Sequence, residues 1–359
     1  MFEMKKIAFF TGSMARGGAE RVIRNLSFGF AERGYEVEIV TVLSSEIEYD
    51  LPETVKVVDC SSRNGRIFGA VDRIVDYLAR SDIDAAFVFM WQISLVFGAA
   101  LKKIKNRDFY LVMSERNDPR RPVKRRLLTT LVNAAYKKAD ALVFQTERAA
   151  RFFPEKIRRK SVVIPNVVDV RVSASEEPKK KIVTAGRLER QKNQAMLIRA
   201  FGSFAKIHGD YVLEIYGEGK LREELEKEIK DLGLEKKAFL MGNVPDVHDK
   251  IKDAEFFVLS SEYEGLSNAM LEAMAMGLPV IATDCAGSDE YIKNGENGYV
   301  VKRGDVNALA DAMNSLAGDR AKRKAFGEAA VVSVSALKKE NVTEKWFSLI
   351  DDRNNGEKE

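Results

Sequence analysis

The stretch Phe256-Phe257-Val258-Leu259-Ser260-Ser261-Glu262-Tyr263-Glu264-Gly265-Leu266-Ser267-Asn268-Ala269-Met270-Leu271-Glu272-Ala273-Met274-Ala275-Met276-Gly277-Leu278-Pro279 governs the reading of the chain. An apolar strand ends at Ser260-Ser261, a polar turn follows, and a helix runs from Ala269 to Met276. From Gly265 to Thr283 the only ionisable residue is Glu272. A helix apolar nearly all round is a buried helix. A lone carboxylate on it must be paired, hydrogen-bonded or functional. Burying even a neutral polar group without a partner costs about 2–7 kcal/mol. The backbone N–H groups of Leu266, Ser267 and Asn268 open this helix at the carboxyl end of a strand, which makes an anion site. The plain alternative is a Glu272 that only caps or bridges within the core.

The strand–turn–helix unit recurs outward from this stretch. Lys6–Phe10 is a strand, Thr11–Gly18 a glycine-bearing loop, and Ala19, Val22, Ile23, Leu26 and Phe30 fall at helical spacing. Gly34 stands where a helix C-cap belongs, and Glu36–Val42 returns as a strand. Further strands are expected at Ala86–Phe89, Phe109–Met113 and Ala141–Phe144. The polar run from Asp169 to Lys181 marks a linker, after which the pattern restarts. Strands then follow at Ile182–Ala185, Val212–Tyr216, Ala238–Met241, Phe256–Ser260, Pro279–Ala282 and Tyr299–Val301. Alternating strands and helices imply parallel sheets covered on both faces. The expectation is an α/β protein of two Rossmann-like doubly wound domains facing a central cleft. Residues 1–170 form the first domain and residues 171–335 the second. Residues 336–359 hold a C-terminal helix packing back toward the first domain, with Trp346 and Phe347, and a disordered tail from Asp351.

Composition sets bounds. A chain of 359 residues holds about two domains. Two cysteines far apart, Cys60 and Cys285, fit neither a disulfide framework nor a cysteine-rich metal site. No targeting segment is expected, because the apolar run after Lys5-Lys6 is too short for a signal core. The longest uncharged stretch, Ala85–Leu101, reads as a buried strand entering a buried helix rather than a membrane span. The net charge of +4 hides an asymmetry: residues 1–170 carry 29 basic and 21 acidic side chains, the remainder 29 and 33. Residues 101–160 alone carry 18 basic and 6 acidic residues, so an acidic partner is expected there.

Two more segments could carry chemistry. Gly186-Arg187-Leu188-Glu189-Arg190-Gln191-Lys192-Asn193 follows the first strand of the second domain. Arg187 and Lys192 can converge there on one anion, the guanidinium with paired hydrogen bonds and the ammonium as a point charge. A solvated charged turn is the alternative. Gly17-Gly18-Ala19-Glu20-Arg21 sits at a strand-to-helix turn, where glycine permits close backbone approach to a ligand. Neither a G-x-G-x-x-G fingerprint nor a G-x-x-x-x-G-K-[ST] loop occurs, which argues against a dinucleotide oxidoreductase and a P-loop NTPase.

Together these segments resemble glycosyltransferase family 4, retaining nucleotide-sugar transferases of GT-B fold, over nearly the whole chain. Glu264 to Glu272 looks like the family's E-x7-E motif, Gly186-Arg187-Leu188 with Gln191-Lys192-Asn193 like its diphosphate motif, and Gly17 to Arg21 like its N-terminal loop. Ala286 to Glu290 and Asn294 to Gly298 look like the segment after the motif. The resemblance implies that Glu264 contacts donor-sugar hydroxyls and Glu272 the ribose, and that Arg187 and Lys192 neutralise the departing diphosphate. Gly17 and Gly18 line the donor site, as do Leu266, Ser267 and Asn268, and main chain near Gly242-Asn243-Val244 flanks the base. It implies a UDP-linked hexose or N-acetylhexosamine as donor and no metal or other cofactor. The acceptor it implies is a polyprenyl-diphosphate-linked glycan on the inner face of the plasma membrane, with the protein cytoplasmic and peripheral. Asp82-Ile83-Asp84 spells D-x-D but precedes an apolar strand and reads as a loop pair. Many family members place a His in the N-terminal domain. This chain has only His208 and His248, expected at the surface, and Glu115 or Asn117 is offered as the replacement.

The basic run includes Lys102, Lys103, Arg120, Arg121, Lys124, Arg125, Arg126, Lys137 and Lys138 around an apolar arc of Val123, Leu127, Leu131, Val132 and Ala135. It fits either a core-docking helix with a solvated face or a surface for anionic lipid, where each cation contributes about 1 kcal/mol. Nucleic acid is disfavoured because no aromatic platforms interleave the charge. Rival functions are a sugar-nucleotide epimerase of the same fold, which would want acid–base residues such as His, and a silent glycan-binding scaffold, against which both Glu264 and Glu272 stand.

Overall fold

The structure is a computed structural model that describes residues 5–15, 17–62, 67–119, 126–285 and 287–356. It divides into two compact units, Met1–Val167 with Glu340–Glu359, and Val168–Lys339.

The first unit is a seven-stranded sheet made of β1 (Lys6–Thr11), β2 (Glu36–Thr41), β3 (Lys56–Asp59), β4 (Ala85–Phe89), β5 (Tyr110–Glu115), β6 (Ala141–Phe144) and β7 (Ser161–Val163). Every pairing is parallel, in the order β3-β2-β1-β4-β5-β6-β7. The inner strands are apolar and buried, as parallel sheets covered on both faces require. The two strands missing from the sequence reading, β3 and β7, are the sheet's edges. They are short and half-exposed, so their apolar signal is weak. The helix Trp91–Ala100 follows β4, as the uncharged stretch suggested.

The C-terminal helix Lys339–Gly356 belongs to this unit. Trp346 stacks on Phe89 at 5.6 Å between centroids, and Phe347 meets Phe30 edge-on at 4.5 Å. A Cβ on Gly29 would lie 2.9 Å from the Phe347 ring, so glycine is what lets the two helices approach. The helix continues to Gly356, where a disordered tail from Asp351 was expected. Extending a helix already nucleated by buried residues needs no further burial.

The second unit is a six-stranded parallel sheet of β8 (Lys179–Ala185), β9 (Val212–Tyr216), β10 (Ala238–Gly242), β11 (Ala254–Leu259), β12 (Val280–Thr283) and β13 (Gly298–Val301). Its order is β10-β9-β8-β11-β12-β13, the same winding as the first. The run Lys179–Lys181, expected as linker, is the start of β8. Lys181 is buried, and its amine reaches Glu214 at 3.2 Å, the carbonyl of Lys250 at 2.8 Å, and Asp253. In each sheet the order reverses beside the first strand, so ligand-binding loops are expected at the carboxyl ends of β1 and β4, and of β8 and β11.

Candidate functional site

At the carboxyl ends of β8 and β11 two loops 72 residues apart in sequence meet. The Lys192 ammonium lies 2.6 Å from Glu264 Oε1. Ser261 Oγ donates to the same oxygen at 2.8 Å, and Gln191 Nε2 donates to Oε2 at 3.2 Å. Glu264 is buried, and its carboxylate is met by three donors, which offset the cost of burying it. Backbone bonds tie the loops as well, with the Glu262 amide donating to the Gln191 carbonyl at 2.8 Å and Ser260 Oγ to the Lys192 carbonyl at 2.9 Å. Thr283 and Cys285 hold the carbonyl of Ser261 at 2.6 and 2.9 Å; burial pushes the Cys285 thiol up to about 12, so it stays a neutral donor.

The loop after β8 sits under two others. A Cβ on Gly217 would fall 2.1 Å from the Gly186 carbonyl oxygen, so only glycine lets the loops after β8 and β9 stack this closely. Arg187 does not join the Lys192–Glu264 cluster. Its side chain is 65% exposed and reaches Glu189, at 3.5 Å. The two cations expected to converge are thus one paired and one extended into solvent.

Glu264 leads into the helix Asn268–Met276. Ser267 caps it, accepting from the Met270 amide, and Leu266 and Ser267 are buried in the turn before it. Asn268 opens it, with its Oδ1 buried and without a hydrogen-bond partner. Gly277 closes it in the left-handed conformation (φ 87), with Leu278 N donating to the Ala273 carbonyl at 3.0 Å. Glu272 projects from this helix, and His248 Nε2 lies 3.2 Å from its Oε2. His248, expected as a lone surface residue, is a functional candidate that the sequence reading missed. It stands 24 residues away on the short helix Val247–Ile251, and nothing in its local sequence marks it. His208 stacks on Phe204 at 4.6 Å. Gly242 ends β10 in the left-handed region (φ 76), followed by exposed Asn243 and half-buried Val244.

In the first unit Gly17 precedes the helix Gly18–Glu32 as its cap. A Cβ there would lie 2.2 Å from Glu20 Oε2, so the Glu20 carboxylate folds back over the Gly17-Gly18 turn. Glu115 ends β5 with its side chain turned inward. It is 2% exposed and accepts from Tyr136 OH at 2.8 Å and from the Asn117 amide at 2.9 Å. Its carboxylate is therefore not presented as the polar contact proposed for it. Asn117 is half-buried, with Nδ2 3.9 Å from Met90 Sδ. Arg116 is buried beside them, its guanidinium pulled down to about 9 by burial; it bonds Asn166 and the Ile164 carbonyl. Met90, at the end of β4, holds φ at 76, a conformation a non-glycine residue keeps only where its surroundings impose it.

Arg120, Arg121, Lys124 and Arg125 lie outside the described residues, as does Val123. Arg126 opens the helix Arg126–Tyr136. The single apolar arc expected on this helix is split. Val132, Ala135 and Tyr136 are buried, with Ala135 Cβ 2.9 Å from where a Cβ on Gly98 would stand. Leu127 and Leu131 are 74% and 46% exposed, on one face with Thr130 and Ala134. Asp82 and Asp84 both serve Lys6, the first on its ammonium at 3.1 Å and the second on its amide at 2.8 Å. Among the described residues no three His, Cys, Asp or Glu side chains are grouped to hold a metal ion, and no helix is long and apolar enough to cross a membrane.

Residues 16–172 match the family model described as Glycosyltransferase Family 4, and residues 168–331 the model described as Glycosyl transferases group 1. Among curated relatives, the chain is 28% identical to the N-acetylgalactosamine-N,N'-diacetylbacillosaminyl-diphospho-undecaprenol 4-alpha-N-acetylgalactosaminyltransferase of Campylobacter jejuni, over 94% of this chain and 96% of that one. A second enzyme of that organism, a GalNAc-alpha-(1->4)-GalNAc-alpha-(1->3)-diNAcBac-PP-undecaprenol alpha-1,4-N-acetyl-D-galactosaminyltransferase, is 25% identical over 97% of this chain and 98% of its own. Among solved structures, sucrose-phosphate synthase of Thermosynechococcus elongatus superposes with a TM-score of 0.83 at 18% identity, covering 98% of this chain and 100% of that one. HepE of Anabaena in complex with UDP-glucose superposes at 0.81 and 16% identity, covering 97% and 99%. The fold is that of the GT-B glycosyltransferases, two parallel α/β units.

Proposed function

We propose a donor, an acceptor and a course of reaction for this chain, which belongs to glycosyltransferase family 4. It moves a hexose or N-acetylhexosamine from a UDP-linked donor to a polyprenyl-diphosphate-linked glycan, with retention at the anomeric carbon. The observation that carries this reading is the 2.6 Å contact of Lys192 with Glu264 at the carboxyl ends of β8 and β11, beside the N-terminus of the helix Asn268–Met276. A cation, a carboxylate and a row of helix N–H groups are what a sugar diphosphate needs at one place. The diphospho-undecaprenol-linked substrates that the Campylobacter relatives are named for support the acceptor, and the UDP-glucose bound by HepE supports the donor.

Breaking the sugar–diphosphate bond puts negative charge on the leaving oxygen and positive character on the anomeric carbon. The helix N–H groups and the Lys192 ammonium meet the first charge, and exposed Arg187 swings onto the same phosphates when the donor arrives. Glu264, held by Lys192, Ser261 and Gln191, takes the donor-sugar hydroxyls. Glu272 takes the ribose. The acceptor hydroxyl attacks from the face that the diphosphate leaves, which gives retention. The chain's own cations answer the leaving-group charge, so the reading invokes no metal. The acceptor's membrane surface is met by the exposed Leu127–Leu131 face of the first unit and the cations around it.

A thermal-shift and donor-hydrolysis screen over UDP, GDP and ADP sugars tests the reading. The expected result is a shift and slow turnover with UDP sugars. Arg187→Ala should lose about 10²–10³ in turnover with an unchanged melting temperature in the absence of ligand, because its side chain makes little contact. No shift and no turnover with any of the three would overturn it.

A further inference from the structure

We propose that His248 is a positioning residue for Glu272, and that the bond between them sets how strongly the protein prefers a ribonucleotide over its 2′,3′-dideoxy counterpart. The inference rests on the nucleotide-sugar reading and goes beyond it in naming what orients the ribose carboxylate. His248 Nε2 stands 3.2 Å from Glu272 Oε2. A carboxylate only accepts, so Nε2 carries the hydrogen. Glu272 is the sole ionisable side chain on its helix, and its side chain is only 13% exposed. The ring meets one carboxylate oxygen from one side.

The same bond fastens a second part of the site. His248 follows the turn Gly242-Asn243-Val244-Pro245-Asp246, which carries two left-handed residues, Gly242 at φ 76 and Asp246 at φ 51. Asp246 gives the helix Val247–Ile251 no side-chain cap. Aspartate is among the few non-glycine residues that adopt this conformation readily, and the His248 ring ties the turn to the helix Asn268–Met276 through Glu272. A free carboxylate rotates about its own bond. A carboxylate held by a ring on a fixed turn does not, and a pair of vicinal hydroxyls needs it fixed.

The test compares wild type, His248→Leu and His248→Gln. Leucine keeps bulk and removes the donor, and glutamine restores an N–H at the reach of Nε2. Calorimetry measures the affinities for uridine, guanosine and adenosine diphosphates and for their 2′,3′-dideoxy forms, alongside KM and kcat for the nucleotide sugar. In wild type the ribose form is preferred. In His248→Leu that preference and the donor KM should each worsen about tenfold, the worth of one hydrogen bond to a charged group. Dideoxy affinity and kcat should stay unchanged, and His248→Gln should recover most of the loss. An unmoved preference in His248→Leu, equal weakening of both nucleotide forms, or no ribose preference in wild type overturns this inference alone. Wild type binding none of the diphosphates overturns the nucleotide-sugar reading and this inference with it.

Discussion

Burial pushes the Glu115 carboxyl up to about 7, and it does so although Asn117 N–H and Tyr136 OH both donate to it. A carboxyl that titrates near 7 in the folded unit and near 4.5 unfolded binds its proton more tightly when folded. Its ionisation therefore costs nothing below pH 4.5, costs progressively more between 4.5 and 7, and costs its full amount above 7, on the order of 3 kcal/mol. Glu115→Gln removes the titration. The variant should gain stability over wild type above pH 7 and lose that advantage below pH 4.5, measured by denaturant unfolding; parallel pH profiles would refute this. The sequence reading ended this strand at Met113 and left Glu115 in the loop after it, whereas β5 runs on to Glu115 and turns the side chain inward. β5 is buried on both faces, so no apolar–polar alternation marks a direction. The places of Glu264, on the turn after an apolar strand, and of Glu272, on an apolar helix, were legible because strand, turn and helix each carry a clear pattern. His248 was not legible, because a single His on a five-residue helix carries no periodic signal.

Elements show the same division between what pattern reveals and what packing decides. Runs of apolar residues located every inner strand, and the Gly277 closure and Ser267 cap bound the motif helix where the sequence placed it. Edge strands β3 and β7 escaped, being short and half-wet. The helix Arg126–Tyr136 shows a further limit. Its apolar residues were read as one face, yet Val132 and Ala135 turn inward while Leu127 and Leu131 turn out. Two apolar faces on one helix look alike in sequence, and only the neighbour at Gly98 decides which is the core. An outward pair of leucines on a helix within the basic run of residues 101–160 suits an anionic lipid surface. Vesicle sedimentation should show binding to phosphatidylglycerol vesicles that falls with added salt. The double variant Leu127→Glu with Leu131→Glu should weaken it at least about tenfold while its melting temperature holds, since both side chains are exposed. Equal binding to neutral and anionic vesicles would refute the lipid surface.

Over the whole molecule, the bland net charge of +4 resolves into two units of unlike character. The first 170 residues carry the basic excess, and the second unit is nearly balanced, with 28 acidic and 26 basic side chains. Both sheets share one winding; in the second unit Lys192 and Glu264 lie in loops that follow β8 and β11, while Glu272 stands on the helix Asn268–Met276 that comes next. That winding was legible because alternating strands and helices leave a parallel sheet few orders to adopt. The pairing of Lys192 with Glu264 was not, because it joins loops 72 residues apart. The central claim is sugar transfer with retention from a nucleotide sugar, with Lys192 answering the leaving-group charge. It is tested most directly by incubating the protein with a carbon-13-labelled UDP sugar of α configuration and a polyprenyl-diphosphate-linked glycan, then reading the product's anomeric coupling by NMR. The account predicts an α-linked product with release of UDP, and a loss of about 10²–10³ in rate in Lys192→Ala. A β-linked product, or undiminished transfer by Lys192→Ala, would contradict it.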